Sequence, residues 1–420
     1  MIRKAAPMPL PAPSARNPWI ALLCGAVIVT IAMGLRQGFG LLLRPVELEI
    51  GVGREAFGLA IAVQNLVLGL AQPFVGALAD RHGAGRVAAA GGLLYALGLV
   101  LASVSTSALG LDLSLGFLVG LAMTGVTFVV VLGAVGRFVP AEKRGMAFGI
   151  VTAGGSVGQF LLVPATQMAV DAVGWRGALL VGAALVSLTV FLALGISGKP
   201  QDAAPASAGA GRPGGESLGA ALRLAARHPG YWLLNVGFFV CGFHVAFIAT
   251  HLPAFLADQA IDPSVGARAL ALIGLFNILG SYVFGLSADR LRKKYVLAGV
   301  YFGRAVVIVA FLAVPFTPLS ATLFACAMGF LWLGTVPLTS GLVGQIFGVR
   351  YLSTLFGIVF MSHQIGAFFG AWGAGLVFAR TGSYDAAWTI SIALALIAGL
   401  ANLPIRDARI GALPAAGAAA

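Results

Sequence analysis

The sequence predicts an all-α integral membrane protein: twelve transmembrane helices in two pseudo-symmetric six-helix bundles. Three observations carry this expectation. Hydrophobic types make up 59% of the 420 residues and charged types only 10%, against about 45–50% and about 25% in an ordinary soluble domain. So few charges cannot cover a water-facing surface, which excludes a soluble globular domain, a disordered chain and a nucleic-acid binder. The apolar residues fall into twelve runs near the length of about 20 that crosses a bilayer as a helix. The second half of the chain also repeats anchor residues of the first at a nearly constant offset.

In chain order, residues 1–18 carry Arg3, Lys4 and Arg16 with Pro7, Pro9, Pro11 and Pro13. Proline at that density forbids a continuous helix, so a disordered cytosolic tail is expected. The apolar run that begins at Trp19 is too long for a signal-peptide core and lacks a small-residue cleavage pattern. Spans are expected near 19–44, 55–79, 87–107, 110–136, 145–170 and 177–196, then 231–256, 269–288, 295–314, 318–342, 354–379 and 386–404. Breaks fall at charge or Pro/Gly clusters such as Asp80–Arg86, Arg137–Arg144 and Asp289–Lys294. No alternation of period two persists, so barrel strands are excluded.

The spans group as an N-terminal bundle over 19–196 and a C-terminal bundle over 230–405, with a linker at 197–229 and a cytosolic tail at 406–420. Residues 197–215 are small, polar and proline-rich, hence flexible. Residues 216–228 place Leu218, Leu222 and Ala225 on one face, with Arg223 and Arg227 elsewhere. Two readings stand for that stretch: a short helix lying on the inner membrane surface, or a plain cytosolic tether.

Basic residues set the orientation. With the N-terminus inside, the cytosolic segments hold 19 Lys and Arg and the outer segments 5, namely Arg44, Arg54, Arg176, Arg268 and Arg380. Arg36 and Arg304 fall within spans. Both termini are therefore expected in the cytosol, and the net charge of +12 needs no acidic partner. With 21 Arg to 5 Lys among Gly- and Ala-rich spans, the composition points to a bacterial inner membrane. Cys24, Cys241 and Cys326 all lie in apolar runs, an arrangement that suits neither a disulfide framework nor a metal site.

Shifted by 208 residues, Gly34 meets Gly242, Pro45 meets Pro253, Phe148–Val151 meets Phe356–Val359, and Gly174 meets Gly382. Shifted by 209, Gly76–Arg81 meets Gly285–Arg290. Repeated halves around a central site are the architecture of secondary transporters.

The stretch Gly76-Ala77-Leu78-Ala79-Asp80-Arg81-His82-Gly83, with Arg86 following, resembles the signature loop between helices 2 and 3 of the major facilitator superfamily. Asp289-Arg290 is its weaker echo between helices 8 and 9. The resemblance covers all twelve spans and implies two bundles that rock around a site near the midplane. It also implies a cytosolic gate, with Asp80 facing the start of helix 11 and Asp289 the start of helix 5, flanked by Arg81, Arg86 and Arg290. A carboxylate suits a helix N-terminus because that end carries partial positive charge.

Arg137–Gly149, entering helix 5, is similar to the monocarboxylate-porter and oxalate/formate-exchanger branch, as is Phe276–Ser281 in helix 8. That branch usually carries a carboxylate-binding arginine where Ser281 stands here, and its first-helix motif is degraded to Asn17-Pro18-Trp19. In helix 11, Phe356–His363 is similar to the exchanger segment whose lysine matches His363.

A charged side chain within a span is expensive and usually faces a cavity or a partner. Arg36 aligns with His244 at the centre of helix 7, and no Asp or Glu stands at its depth. Such a guanidinium can pair two-pronged with a carboxylate; alternatively it is structural, bonded to carbonyls or to Gln37, Gln64 and Asn65. Arg304, central in a peripheral helix, is read as tying that helix to its neighbours or snorkelling. His244, His251 and His363 are the histidines within spans and the candidate proton carriers, since histidine changes charge near neutral pH; a packing role stands beside each. Asn277, Ser281, Tyr282, Gln159, Trp332, Thr335 and Gln364 are further candidates for the site wall or for bonds between helices.

The expected function is a secondary carrier of a small organic anion such as a monocarboxylate, moved with protons or by exchange, acting as a monomer among membrane lipid. The competing expectation is an exporter of amphipathic drugs or metabolites, in which Arg36 is incidental. No H-E-x-x-H or paired intramembrane carboxylates occur, so neither an enzyme nor a cofactor is expected. The longest loop is the linker, which leaves no nucleotide-binding or signalling domain.

Overall fold

The computed structural model describes residues 18–139, 144–197, 218–348, 352–408 and 410. Nearly all of the expected 1–18 tail, most of the 197–229 linker and most of the 406–420 tail lie outside the described residues. So do the side chains of Asp80, Arg137, Arg144 and Asp289.

Among the described residues, eleven helices are long and apolar enough to cross a membrane. One of them, over 144–192, bends at Gly174, where φ is +71°. Glycine adopts that conformation at no steric cost, so this helix serves as two spans and the total is twelve. They are α1 Pro18–Gln37, α2 Arg54–His82, α3 Ala84–Ser103, α4 108–138, α5 144–173 and α6 175–192. The second six are α7 Pro229–Asp258, α8 Pro263–Arg290, α9 Lys293–Leu312, α10 Pro318–Phe347, α11 Leu352–Thr381 and α12 Asp385–Asn402. No strand occurs among the described residues.

The internal repeat is visible in the backbone. Gly382, which the 208-residue shift pairs with Gly174, also has positive φ, +70°. A Cβ on Gly34 of α1 would meet the carbonyl of Gly158 in α5, 2.6 Å away, and a Cβ on Gly242 of α7 would collide with the carbonyl of His363 in α11. Small residues at these crossings let helix backbones approach closely. Both crossings follow from the same duplicated unit.

Three spans are less regular than their hydropathy implies. The expected 19–44 run stops being α-helical at Gln37, continues as a 3₁₀ turn over Phe39–Leu42, and resumes as the short helix Leu43–Ile50. Gly40 in that turn lies against the carbonyl of Ala249 in α7, where a side chain would not fit. α4 holds a π-helical stretch at Asp112–Leu118 and breaks at Thr127, and α10 breaks between Phe330 and Thr335. Leu218–Arg227 is helical, with Ala221 and Ala225 buried and Arg223 and Arg227 exposed.

Two hydrophobic cores result. One is built mainly from residues between Leu22 and Ile196, the other mainly from residues between Ala225 and Ile405. Ala246, Ala254, Ala367 and Ala371 of the second half join the first core, and Leu41 and Val163 join the second. We call the face bearing loops 51–53 and 259–262 the distal face, and the opposite face, bearing Gly83 and residues 291–292, the linker face. The halves meet toward the distal face, where Gly58 packs under the carbonyl of Ala371, Gly375 against that of Arg54, and Gly69 against Gln364. Nearer the linker face, Phe74 and Leu78 of α2 and Ile358 of α11 are exposed.

Candidate functional site

Arg36 sits in the last turn of α1, where unpaired helix carbonyls favour a cation. It is half-buried, and its Nη2 donates to Asn65 Oδ1 of α2. Asn65 Nδ2 donates in turn to the carbonyl of Ile61 at 2.8 Å, which aims the Asn65 oxygen at the guanidinium. Arg36, Gln37, Gln64 and Asn65 face Ala246 and Thr250 of α7 across a small cavity between the halves. The cavity, of about 20 Å³, has room for about one water. Gln64 Nε2 donates to the carbonyl of Leu115, while its buried Oε1 has no partner among the described residues. None of the ion pairs among the described residues includes Arg36; they engage Arg44, Arg54, Arg176 and Arg292.

Polar side chains next to the cavity link the two halves. Gln37 Nε2 donates to Gln159 Oε1 at 3.0 Å, and Gln159 Nε2 donates to the carbonyl of Leu270 in α8 at 2.8 Å. Asn277 Nδ2 donates to Ser156 Oγ at 2.9 Å, and Asn277 Oδ1 accepts from the Leu333 amide and from Ser281 Oγ. Gln364 Nε2 of α11 donates to the carbonyl of Asn65 at 3.3 Å, and Gln364 Oε1 lies 3.0 Å from His363 Nδ1. An amide oxygen only accepts, so this contact requires a proton on His363 Nδ1. The ring stacks on Phe360, with centroids 5.6 Å apart and planes 6° apart, and lies 5.1 Å from Phe238. Gln364 thus joins His363 to the backbone of Asn65, whose side chain holds Arg36.

Other candidates lie elsewhere. At 100° per residue, His244 lies roughly opposite the cavity-lining Val245, Ala246, Ala249 and Thr250 around α7. There its Nε2 meets the carbonyl of Ser391 at 2.9 Å and its Nδ1 faces Arg304. Arg304 is fully buried and ties α9 to α10: it donates to the carbonyls of Leu331 and Trp332 at the α10 break and faces the Cys241 thiol at 3.5 Å. Trp332 is buried on that side and Thr335 bonds Cys241. Tyr282 is 66% exposed. Arg81, Arg86 and Arg290 are exposed at the linker face.

A second polar cluster lies under the distal loops; of its members the sequence marked Arg54 as an outer basic residue and His251 as a candidate proton carrier. Arg54, 3% exposed, starts α2. It makes a two-pronged ion pair with Asp258 at the end of α7, donates through Nε to both oxygens of Glu47 at 3.1 Å, and lies 3.8 Å over the ring of Phe378. Tyr384 Oη stands 3.4 Å from Arg54 Nη1 and 2.9 Å from His251 Nδ1, and His251 Nε2 meets the carbonyl of Ala371 at 2.7 Å. The signal in the sequence was a patch of both charge signs at 44–55 and 258–262; nothing in it says which charges meet.

The sequence profile of the Major Facilitator Superfamily matches residues 22–371. The chain is 28% identical over 362 residues to the uncharacterized MFS-type transporter YhjX of Escherichia coli (strain K12), covering 84% of this chain and 86% of that protein. It is 29% identical over 413 residues to human monocarboxylate transporter 11, covering 93% and 83%. To monocarboxylate transporter 12 of Rattus norvegicus it is 28% identical over 327 residues, covering 71% and 67%. In fold it is similar to an inward-facing, unoccupied crystal structure of a bacterial homologue of the human lysosomal transporter Spinster. The TM-score is 0.70 at 16% identity, over 91% of this chain and 93% of that one. The profile, the twelve-span duplicated architecture and these relatives agree: the chain belongs to the Major Facilitator Superfamily.

Proposed function

We propose that the protein is a secondary active carrier of a small organic anion such as a monocarboxylate, working by alternating access with proton coupling or exchange. The observation that carries this reading is Arg36: a guanidinium in a cavity between the halves, held by the neutral Asn65 rather than by a carboxylate. A carboxylate substrate would supply the missing charge in a geometry suited to the planar fork. In this role Arg36 takes the place of the arginine that the similar branch carries where Ser281 stands. The names of the monocarboxylate transporters among the relatives support the substrate class.

His363 is the favoured proton site, because Gln364 joins it to the backbone of Asn65, whose side chain holds Arg36. Gln159 and Asn277 support the wall of the site and couple the halves, and Ser281 holds Asn277 in place. The linker face is placed in a bacterial cytosol on the count of basic residues, and Asp80 and Asp289 are assigned to the gate there. Uptake by proteoliposomes of a panel of radiolabelled monocarboxylates, with and without a pH gradient, tests the reading. Arg36-dependent uptake of at least one carboxylate is expected. No carboxylate uptake, with efflux of amphipathic dyes instead, would replace it with the exporter reading.

A further inference from the structure

α9 presents one face that the second core does not cover. Leu297, Ala298, Tyr301, Arg304 and Ala305 are buried, whereas Tyr295, Gly299, Val306 and Val309 are exposed along one stripe. Beside that stripe lies a groove of about 690 Å³ between α8, α9 and α10. Phe284, Val296 and Leu331 wall it, Gly299 floors it, and Arg290, Arg292 and Tyr295 stand at its linker-face mouth. A Cβ built on Gly299 meets no atom within 4 Å, so the missing side chain leaves open space there.

We propose that this groove binds one anionic phospholipid, its phosphate at Arg290 and Arg292 and an acyl chain laid past Gly299 toward Leu331. The groove is divided as such a ligand is divided, with charge at one end and apolar wall beyond. From Arg292 to Val300 the helix rises about 12 Å, close to the roughly 15 Å of hydrocarbon in one leaflet. Tyr295 is half exposed at the mouth, and tyrosine prefers the headgroup level of a bilayer, which sets the mouth at the depth of lipid phosphates.

Charge selects the lipid class. Residues 289–294 carry four basic side chains and one acidic. Arg292 engages Asp407 through Nε and Nη2, at 3.1 and 2.6 Å, which leaves Nη1 for another acceptor. Lys293 meets the neutral Gln345, while Lys294 turns away to the carbonyls of Leu403 and Ile405. Basic pockets between helices at the cytosolic side suit anionic headgroups. A zwitterionic lipid offers the same phosphate but brings a cation that this mouth repels.

The test is native mass spectrometry of the full chain released from nanodiscs of phosphatidylethanolamine containing phosphatidylglycerol. One retained phosphatidylglycerol per chain is expected, at several times the retention of phosphatidylethanolamine after correction for composition. Gly299→Leu fills the groove and should lower that retention about tenfold, Gly299→Ala should keep it, and Arg292→Gln should remove the preference for the anionic lipid. Equal retention in wild type and Gly299→Leu, or no headgroup preference in wild type, would overturn the proposal. Displacement of the lipid by millimolar inorganic phosphate would also overturn it, by showing a simple anion site. Should Gly299→Leu fail to fold, the Arg292→Gln comparison decides alone.

Discussion

Arg54 and Asp258 join the two halves of the protein through a two-pronged ion pair beneath the distal loops, and the arginine is almost wholly buried. These residues start α2 and end α7, so the pair spans the interface that an alternating-access cycle would have to open. Glu47, Tyr384 and the face of Phe378 complete the surroundings of the guanidinium. Arg54 is the buried member, and Asp258 and Glu47 keep partial contact with solvent, so breaking the arrangement costs mainly its charged hydrogen bonds.

Arg54→Gln is therefore expected to unlock the distal face. Losing charged hydrogen bonds of this kind costs about 1.5–3 kcal/mol, enough to shift a two-state equilibrium about tenfold or more. Thr250 lines the cavity and is buried. A cysteine there, in a background without the native cysteines, should be labelled from the distal side several-fold faster by an impermeant maleimide once Arg54 is replaced. Unchanged labelling would show that the pair does not hold the halves together.

Arg304→Met should destabilise the second half without touching the Arg36 cavity. It strips the carbonyls of Leu331 and Trp332 of their donor at the α10 break, at about 1–3 kcal/mol for each buried group left unpaired. A lower melting temperature in detergent is expected, with Arg304→Lys intermediate, since lysine keeps the charge and loses the fork. A melting temperature equal to wild type in both variants would rule out the tie between α9 and α10.

At the central cavity, Arg36→Lys should bind a transported carboxylate more weakly, and Arg36→Gln much more weakly, by about 2–5 kcal/mol if the pair is desolvated. Binding to detergent-solubilised protein, followed by calorimetry, measures this directly. Equal affinity in wild type and Arg36→Gln would return Arg36 to a structural role with Asn65.

Replacement of His363 by Gln should spare counterflow exchange and abolish accumulation driven by a pH gradient. The imidazole hydrogen-bonds Gln364, which bonds the backbone of Asn65 beside Arg36, so a change of its charge is felt at the cavity. Glutamine retains hydrogen bonding but cannot carry the proton. Wild-type accumulation in His363→Gln would exclude this residue from coupling.

The amino-acid sequence by itself determined the number of spans, the duplication and the excess of basic residues on one side. Each depends on local composition: apolar length sets a helix across the hydrocarbon, and the Gly174 and Gly382 bends reappear at repeat-related positions. Only the tertiary structure decided which polar groups meet. Lipid-facing and core-facing sides of a membrane helix are alike apolar, so periodicity could not tell that His244 turns away from the cavity while Asn65 faces Arg36. Arg54 and Asp258 stand 204 positions apart in the sequence, and only the packing of one half on the other brings them into contact.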